Sequence, residues 1–137
     1  MTRPLRRIRR AAAGDELGPL EGAVMDRMWK RGPASVREVM DDLARTRDLA
    51  YTTVMTVMVR LHAKGLLQRE RNGKNYIYRA SFTRTEHRAR LTRDLARDLV
   101  SHFGDAALAA FSAELDEVDA QHRAALRRVA KEGPAAR

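Results

Sequence analysis

Between residues 50 and 64 the chain carries Thr52, Thr53, Thr56 and Arg60, and not one acid. A threonine hydroxyl both donates and accepts hydrogen bonds, and its methyl can meet the methyl of thymine. A guanidinium can bond guanine or a phosphate. A second cluster follows: Arg69, Arg71, Lys74 and Arg79 stand against one acid, Glu70, and are interleaved with Tyr76 and Tyr78. That composition grips phosphates. The expected contact set is therefore Thr52, Thr53, Thr56, Arg60, Arg69, Arg71, Lys74, Tyr76 and Arg79, and the expected partner is double-stranded DNA.

Other chemistries find little support. The chain has no cysteine, which excludes disulfides, thiolate metal sites and cysteine nucleophiles. His62, His87, His102 and His122 have no metal-ligand spacing, and His122 reads as a packed residue on an apolar stripe. Asp41-Asp42 and Asp116-Glu117 read as solvated acids and helix-start charges, not as a catalytic pair. No phosphate loop, nucleophile elbow or dinucleotide fingerprint occurs. No enzyme activity, metal or cofactor is expected.

The elements that must position these residues can be read from periodicity. Leu20, Val24 and Met28 recur at helical spacing within a helix over 17–31, which Gly32-Pro33 stops. Trp29 reads as core. Ser35 and Glu38 form a capping box that opens a second helix, with Val36, Val39, Met40 and Leu43 on one face and an end near Thr46. A third helix over 50–64 packs through Ala50, Val54, Val57, Met58 and Leu61. A rotation of about 100° per residue turns Thr52, Thr56, Val59 and Ala63 the other way, flanked by Thr53 and Arg60. Two alternating runs over 66–71 and 74–79 flank Asn72-Gly73. This predicts a hairpin on a type I′ turn, which needs positive φ at both residues. Tyr76 and Tyr78 share one of its faces. Three short helices and a hairpin, in that order, make a winged helix-turn-helix.

Charge supports the assignment. The net charge is +9 at pH 7. Residues 1–16 contribute +3, 17–46 nothing, 47–80 +5 and 81–137 +1. A polyanionic partner follows. Residues 1–16 hold five arginines without a sustained apolar period, so a disordered basic arm is predicted. No apolar run approaches the roughly 20 residues of a membrane span, and no apolar core follows the first arginines as in a secretory signal. A cytoplasmic protein without a membrane partner is expected.

Past residue 82 the pattern is helical. Leu91, Leu95, Leu99 and Phe103 step by four, and Gly104-Asp105 breaks the run. Leu108, Phe111 and Leu115 stripe a second helix, and Leu126 and Val129 a third. Short helices with one apolar face are unstable alone, so these residues are expected to form a homodimer interface. The predicted architecture is mainly α with a small β-wing. It comprises a basic arm over 1–16, a winged helix-turn-helix over 17–81, a helical dimerisation region over 82–132 and a frayed tail over 133–137.

The run LAYTTVMTVMVRLHAKGL over 49–66, with a wing ending Tyr76-Ile77-Tyr78, resembles the penicillinase-repressor family of BlaI/MecI type. The segment LGPLEGAVMDRMW over 17–29 is similar to that family's first helix. The resemblance covers 17–80 closely and 81–131 in layout. It implies a homodimeric winged-helix repressor on a palindromic operator, with interlocking C-terminal helices. It puts Thr53, Thr56 and Arg60 where the family contacts DNA. In the best-known members an intramembrane-sensor pathway ends in cleavage of an Asn-Phe bond. The aligned pair here is Ala110-Phe111, which lacks the Asn, so any upstream sensor or protease is left unidentified. The cysteine motif of copper-responsive relatives is absent too. Two alternatives stay open: a non-specific architectural nucleic-acid-binding protein driven by the basic arm, and a winged helix that binds only protein.

Overall fold

A computed structural model describes residues 3–12, 16–118 and 120–132. The chain separates into two compact units. One is Ala13–Thr83, and the other combines Met1–Ala12 with Arg84–Arg137.

The first unit is built from three helices and a hairpin. Helix α2 (Pro19–Arg31) starts with Pro at its first position, where the missing N–H is not needed. Helix α3 (Val36–Leu43) opens on the capping box: the Glu38 amide donates to Ser35 Oγ at 3.2 Å, and the Ser35 amide donates to Glu38 Oε1 at 3.0 Å. It ends at Leu43, and turns over 44–46 replace the extra residues expected to be helical. Helix α4 is Tyr51–Ala63. Strands β1 (Leu67–Asn72) and β2 (Asn75–Ala80) pair antiparallel. Ala34 bridges the free edge of β2 through two backbone hydrogen bonds with Tyr78, of 2.9 and 2.8 Å. This clamps the hairpin to the entrance of α3.

The helices pack because their stripes meet. Val24, Met25 and Met28 of α2, Val36, Val39 and Leu43 of α3, and Val54, Val57, Met58 and Leu61 of α4 close one core with Ala34, Leu67 and Tyr78. Trp29 is half-buried against this core and donates its indole N–H to the Phe82 carbonyl at 2.9 Å. Arg27 is also buried. Its guanidinium donates to Asp42 Oδ2 at 2.7 Å and to the Gly32 carbonyl at 2.6 Å, while Arg31 reaches Asp42 Oδ1 at 2.6 Å. Asp42 is thus a structural partner of two arginines, not the solvated acid expected of it. Pairing is what lets a guanidinium sit in the interior.

The hairpin turn differs from expectation by one residue. Asn72 pairs with Asn75, so the two loop residues are Gly73 and Lys74. Gly73 has φ +66°, and no non-glycine residue among those described has positive φ. Positive φ at the first loop position alone is the type II′ pattern, which suits Gly-X and leaves Asn72 in regular strand geometry.

The N-terminal segment also differs. Residues Arg3–Ala12 form helix α1 rather than a disordered arm. Alanine and arginine are good helix formers, and Pro4 falls in the first turn, where it costs little. Arg7 ties α1 to α5 (Arg84–Phe103), 2.7 Å from Asp98 and 3.8 Å from Asp94. Helices α6 (Asp105–Glu117) and α7 (Ala120–Glu132) complete this unit. Its interior is sparse. Ala107 alone among its described apolar residues is buried, while Leu91, Leu95 and Leu99 are half-buried. Phe103, Leu108, Phe111, Leu115, Leu126 and Val129 are all exposed. His122 is exposed as well, rather than buried on its stripe as expected. The tail over 133–137 lies outside the described residues.

Candidate nucleic-acid interface

Burial divides α4 cleanly. Val54, Val57, Met58 and Leu61 face the core, while Thr52, Thr56, Val59, Arg60 and Ala63 are exposed. Thr53 is half-buried at the margin. Ala50, expected on the core stripe, is instead the exposed N-cap residue. The exposed arc runs in order. Tyr51, Met55 and Val59 form an apolar edge, Thr52 and Thr56 the middle, and Arg60 with Thr53 the far edge. The Thr56 hydroxyl donates back to the Thr52 carbonyl at 2.8 Å. Its proton is therefore committed, and the hydroxyl is left to act as an acceptor.

The apolar edge opens on a cleft of about 450 Å³ between α4, the start of α3 and the hairpin. Tyr51, Met55 and Val59 wall one side, Tyr76 and Tyr78 the other, and Arg37, Arg69 and Lys74 supply the cations. Sequence reasoning missed Tyr51, Met55 and Arg37. Tyr51 and Met55 are one helical turn apart and both fall off the core stripe, a signal that these apolar residues face outward.

Strand register sorts the hairpin bases onto two faces. Arg71 pairs with Tyr76 and Arg69 with Tyr78, so these four share the face toward the cleft. The Arg69 guanidinium stacks 4.3 Å from the centre of the Tyr76 ring and donates to the Tyr78 hydroxyl at 3.4 Å. That hydrogen bond raises its pKa above the ordinary arginine value. Arg71 lies 5.8 Å from the same ring centre and donates to the Gly73 carbonyl at 3.2 Å. Arg79 pairs with Gln68 on the opposite face and donates two hydrogen bonds to its Oε1, at 3.1 and 3.0 Å. The structure therefore brings Thr52, Thr56, Arg60, Arg69, Lys74 and Tyr76 around one helix face and its cleft, and Arg79 stands apart.

The far end of α4 is fixed by charge. Lys64 donates to both carboxylate oxygens of Glu21, and Glu21 Oε1 also accepts from the Gly18 amide at 3.3 Å. Burial opposes ionisation of Glu21 most strongly, but these donors outweigh it and its pKa lies below the usual value. Glu21 is thus a neutralised strut beneath a cationic face. Among the described residues no cluster of His, Asp and Glu could hold a metal.

This arrangement coincides with a sequence match to the Penicillinase repressor family over residues 17–132. The chain belongs to the penicillinase repressor family. Within it, the chain is 45% identical over 112 residues to the transcriptional regulator BlaI of Mycobacterium tuberculosis, covering 79% of this chain and 81% of that one. It is 29% identical over 63 residues to the methicillin resistance regulatory protein MecI of Mammaliicoccus sciuri, covering 46% and 51%. The solution structure of the DNA binding domain of the repressor BlaI aligns with a TM-score of 0.46 at 26% identity, covering 50% of this chain and 84% of that one. The family match spans α2 through α7 and leaves α1 outside.

Proposed function

We propose that this penicillinase repressor-family chain is a sequence-specific DNA-binding transcriptional repressor that acts as a homodimer on a palindromic operator. The observation that carries the reading is the exposed, acid-free face of α4 beside a cation-rimmed cleft. A helix in the major groove and a wing over the adjacent minor groove must straddle the sugar–phosphate strand between them. The cleft between α4 and the hairpin has the lining for that strand: Tyr51 and Met55 for the sugars, Arg37, Arg69 and Lys74 for the phosphates. Thr52, Thr56 and Arg60 then meet base edges.

The homodimer rests on the second unit. A stripe of exposed Leu108, Phe111 and Leu115 on α6, and Leu126 and Val129 on α7, needs a cover that the described residues of its own chain do not provide. A second copy supplies it, and a two-fold pair presents two α4 helices to half-sites about 34 Å apart on one side of the duplex. Repression follows from occupancy of a promoter in the cytoplasm. No helix among the described residues is long and apolar enough to cross a membrane. Ala110-Phe111 lacks the Asn of the family's cleavage bond.

Selection of binding sites from random DNA by the full chain tests the reading. A dyad-symmetric consensus is expected. Equal affinity for selected and random duplexes defeats it in favour of a non-specific architectural role. Deleting residues 1–14 discriminates further: a repressor keeps its operator preference, whereas an arm-driven binder loses all affinity.

A further inference from the structure

Helix α1 is left unexplained by the family match, which begins at residue 17. It carries five arginines and no acid. Helix α5 carries Arg84, Arg88, Arg90, Arg93 and Arg97 against Glu86, Asp94 and Asp98. The two helices together hold a net +7 of the chain's +9, more than the +5 of residues 47–80. Docking concentrates this charge. Arg7 spends its guanidinium on Asp94 and Asp98, two of the three acids of α5. Ile8 and Ala11 are half-buried, and Arg6, Arg9 and Arg10 are exposed. On α5, Arg93 and Arg97 immediately precede those two acids and are exposed too.

We propose that α1, pinned on α5, makes the second unit a further DNA-binding surface, one that holds the phosphate backbone flanking the operator without reading bases. The proposal rests on the reading of the chain as a DNA-binding repressor. Charge complementarity selects the occupant. A duplex presents one negative charge per about 1.7 Å of axis, and arginines on one short helix match such an array without needing a shaped pocket. A pinned helix also loses less freedom on binding than a loose arm does, so more of its electrostatic attraction is retained as affinity.

The test measures affinity against salt concentration for the full chain on a selected operator, once with long random flanks and once trimmed to the operator. The variant Arg6→Ala/Arg9→Ala/Arg10→Ala keeps Arg7 and good helix formers. On the flanked duplex its slope of log affinity against log salt should be shallower by about 2 to 3 per bound chain, since each phosphate contact contributes roughly 0.9. On the trimmed duplex the slope should be that of wild type. The triple lysine variant should restore the flanked slope. An unchanged flanked slope, with helix content and oligomeric state retained, overturns the proposal. So does a triple variant that loses binding to phosphatidylglycerol vesicles while its DNA slope stays put, which assigns the surface to membranes. If wild type shows no operator preference, the repressor reading fails on that ratio, while the slope difference on random duplex still decides the role of α1.

Discussion

Lys64 Nζ lies 2.8 Å from Oε2 and 3.0 Å from Oε1 of Glu21, so the residue capping the C-terminal end of α4 is tied to the first turn of α2. The pair joins residues far apart in sequence and aims the end of the proposed recognition helix. Glu21 is buried, whereas the Lys64 side chain is 48% exposed. Replacing Lys64 by Met leaves Glu21 with the Gly18 amide alone. The expected cost is about 1 kcal/mol, the lower end for a charged hydrogen bond because water reaches the lysine. Urea denaturation of the purified variant checks it.

Acid should expose the same network. Glu21 is held below its usual pKa against the opposing effect of its burial, Asp42 by the Arg27 hydrogen bond, and Glu38 by its bonds with Ser35. A carboxyl with a lowered folded pKa contributes stability that is complete above its unfolded pKa and is lost as pH falls through the folded one. Stability should thus be insensitive to these groups near neutrality and should fall from about pH 4.5 downward. In Glu21→Gln/Asp42→Asn that fall should be shallower, as followed by thermal unfolding between pH 3 and 7.

Removing Asp42 outright leaves the buried Arg27 with the Gly32 carbonyl as its remaining oxygen acceptor among the contacts that bind it. Asp42→Ala should cost about 2 kcal/mol, less than a fully buried pair because the Asp42 side chain is 23% exposed. Calorimetry gives the measurement, and Arg27→Met in the same background should recover part of the loss.

The turn register makes a contrasting pair of predictions. Gly73 alone occupies positive φ in the hairpin, so Gly73→Ala should destabilise by about 1 kcal/mol. Asn72 sits in paired strand geometry, so Asn72→Ala should change stability by less than about 0.5 kcal/mol. A type I′ turn centred on Asn72-Gly73 would make both costly.

For the second unit, Leu126→Asp should shift the chain from dimer to monomer and weaken operator binding in parallel, while the spectrum of the first unit is unchanged. Light scattering at micromolar concentration and a gel-shift series measure the two effects. A wild type that is monomeric there contradicts the dimer.

Much of this architecture was legible in the chain. The capping box of Ser35 and Glu38, the stripe Val54, Val57, Met58 and Leu61, and the alternation around Tyr76 and Tyr78 are local signals, and local signals survive folding. What escaped depended on tertiary pairing. The acid Asp42 is indistinguishable from a solvated one until Arg27 is seen beside it. Helix α1 has a weak apolar pattern and is joined by Arg7 to acids some ninety residues away. Arg79 looked equivalent to Arg69 until strand register put them on opposite faces. Tyr51 and Met55 needed the hairpin in place before their edge of α4 became the wall of a cleft.

The base-reading role proposed for the outward face of α4 can be measured on DNA. Its most direct test is the ratio of affinities for the selected operator and for random duplex, compared between wild type and Arg60→Ala at one fixed salt concentration. The ratio should fall by about 1 to 3 kcal/mol, roughly 5- to 150-fold, while affinity for random DNA changes little. A ratio that stays the same for Arg60→Ala, and again for Thr52→Ala/Thr56→Ala, would mean that this face does not contact bases.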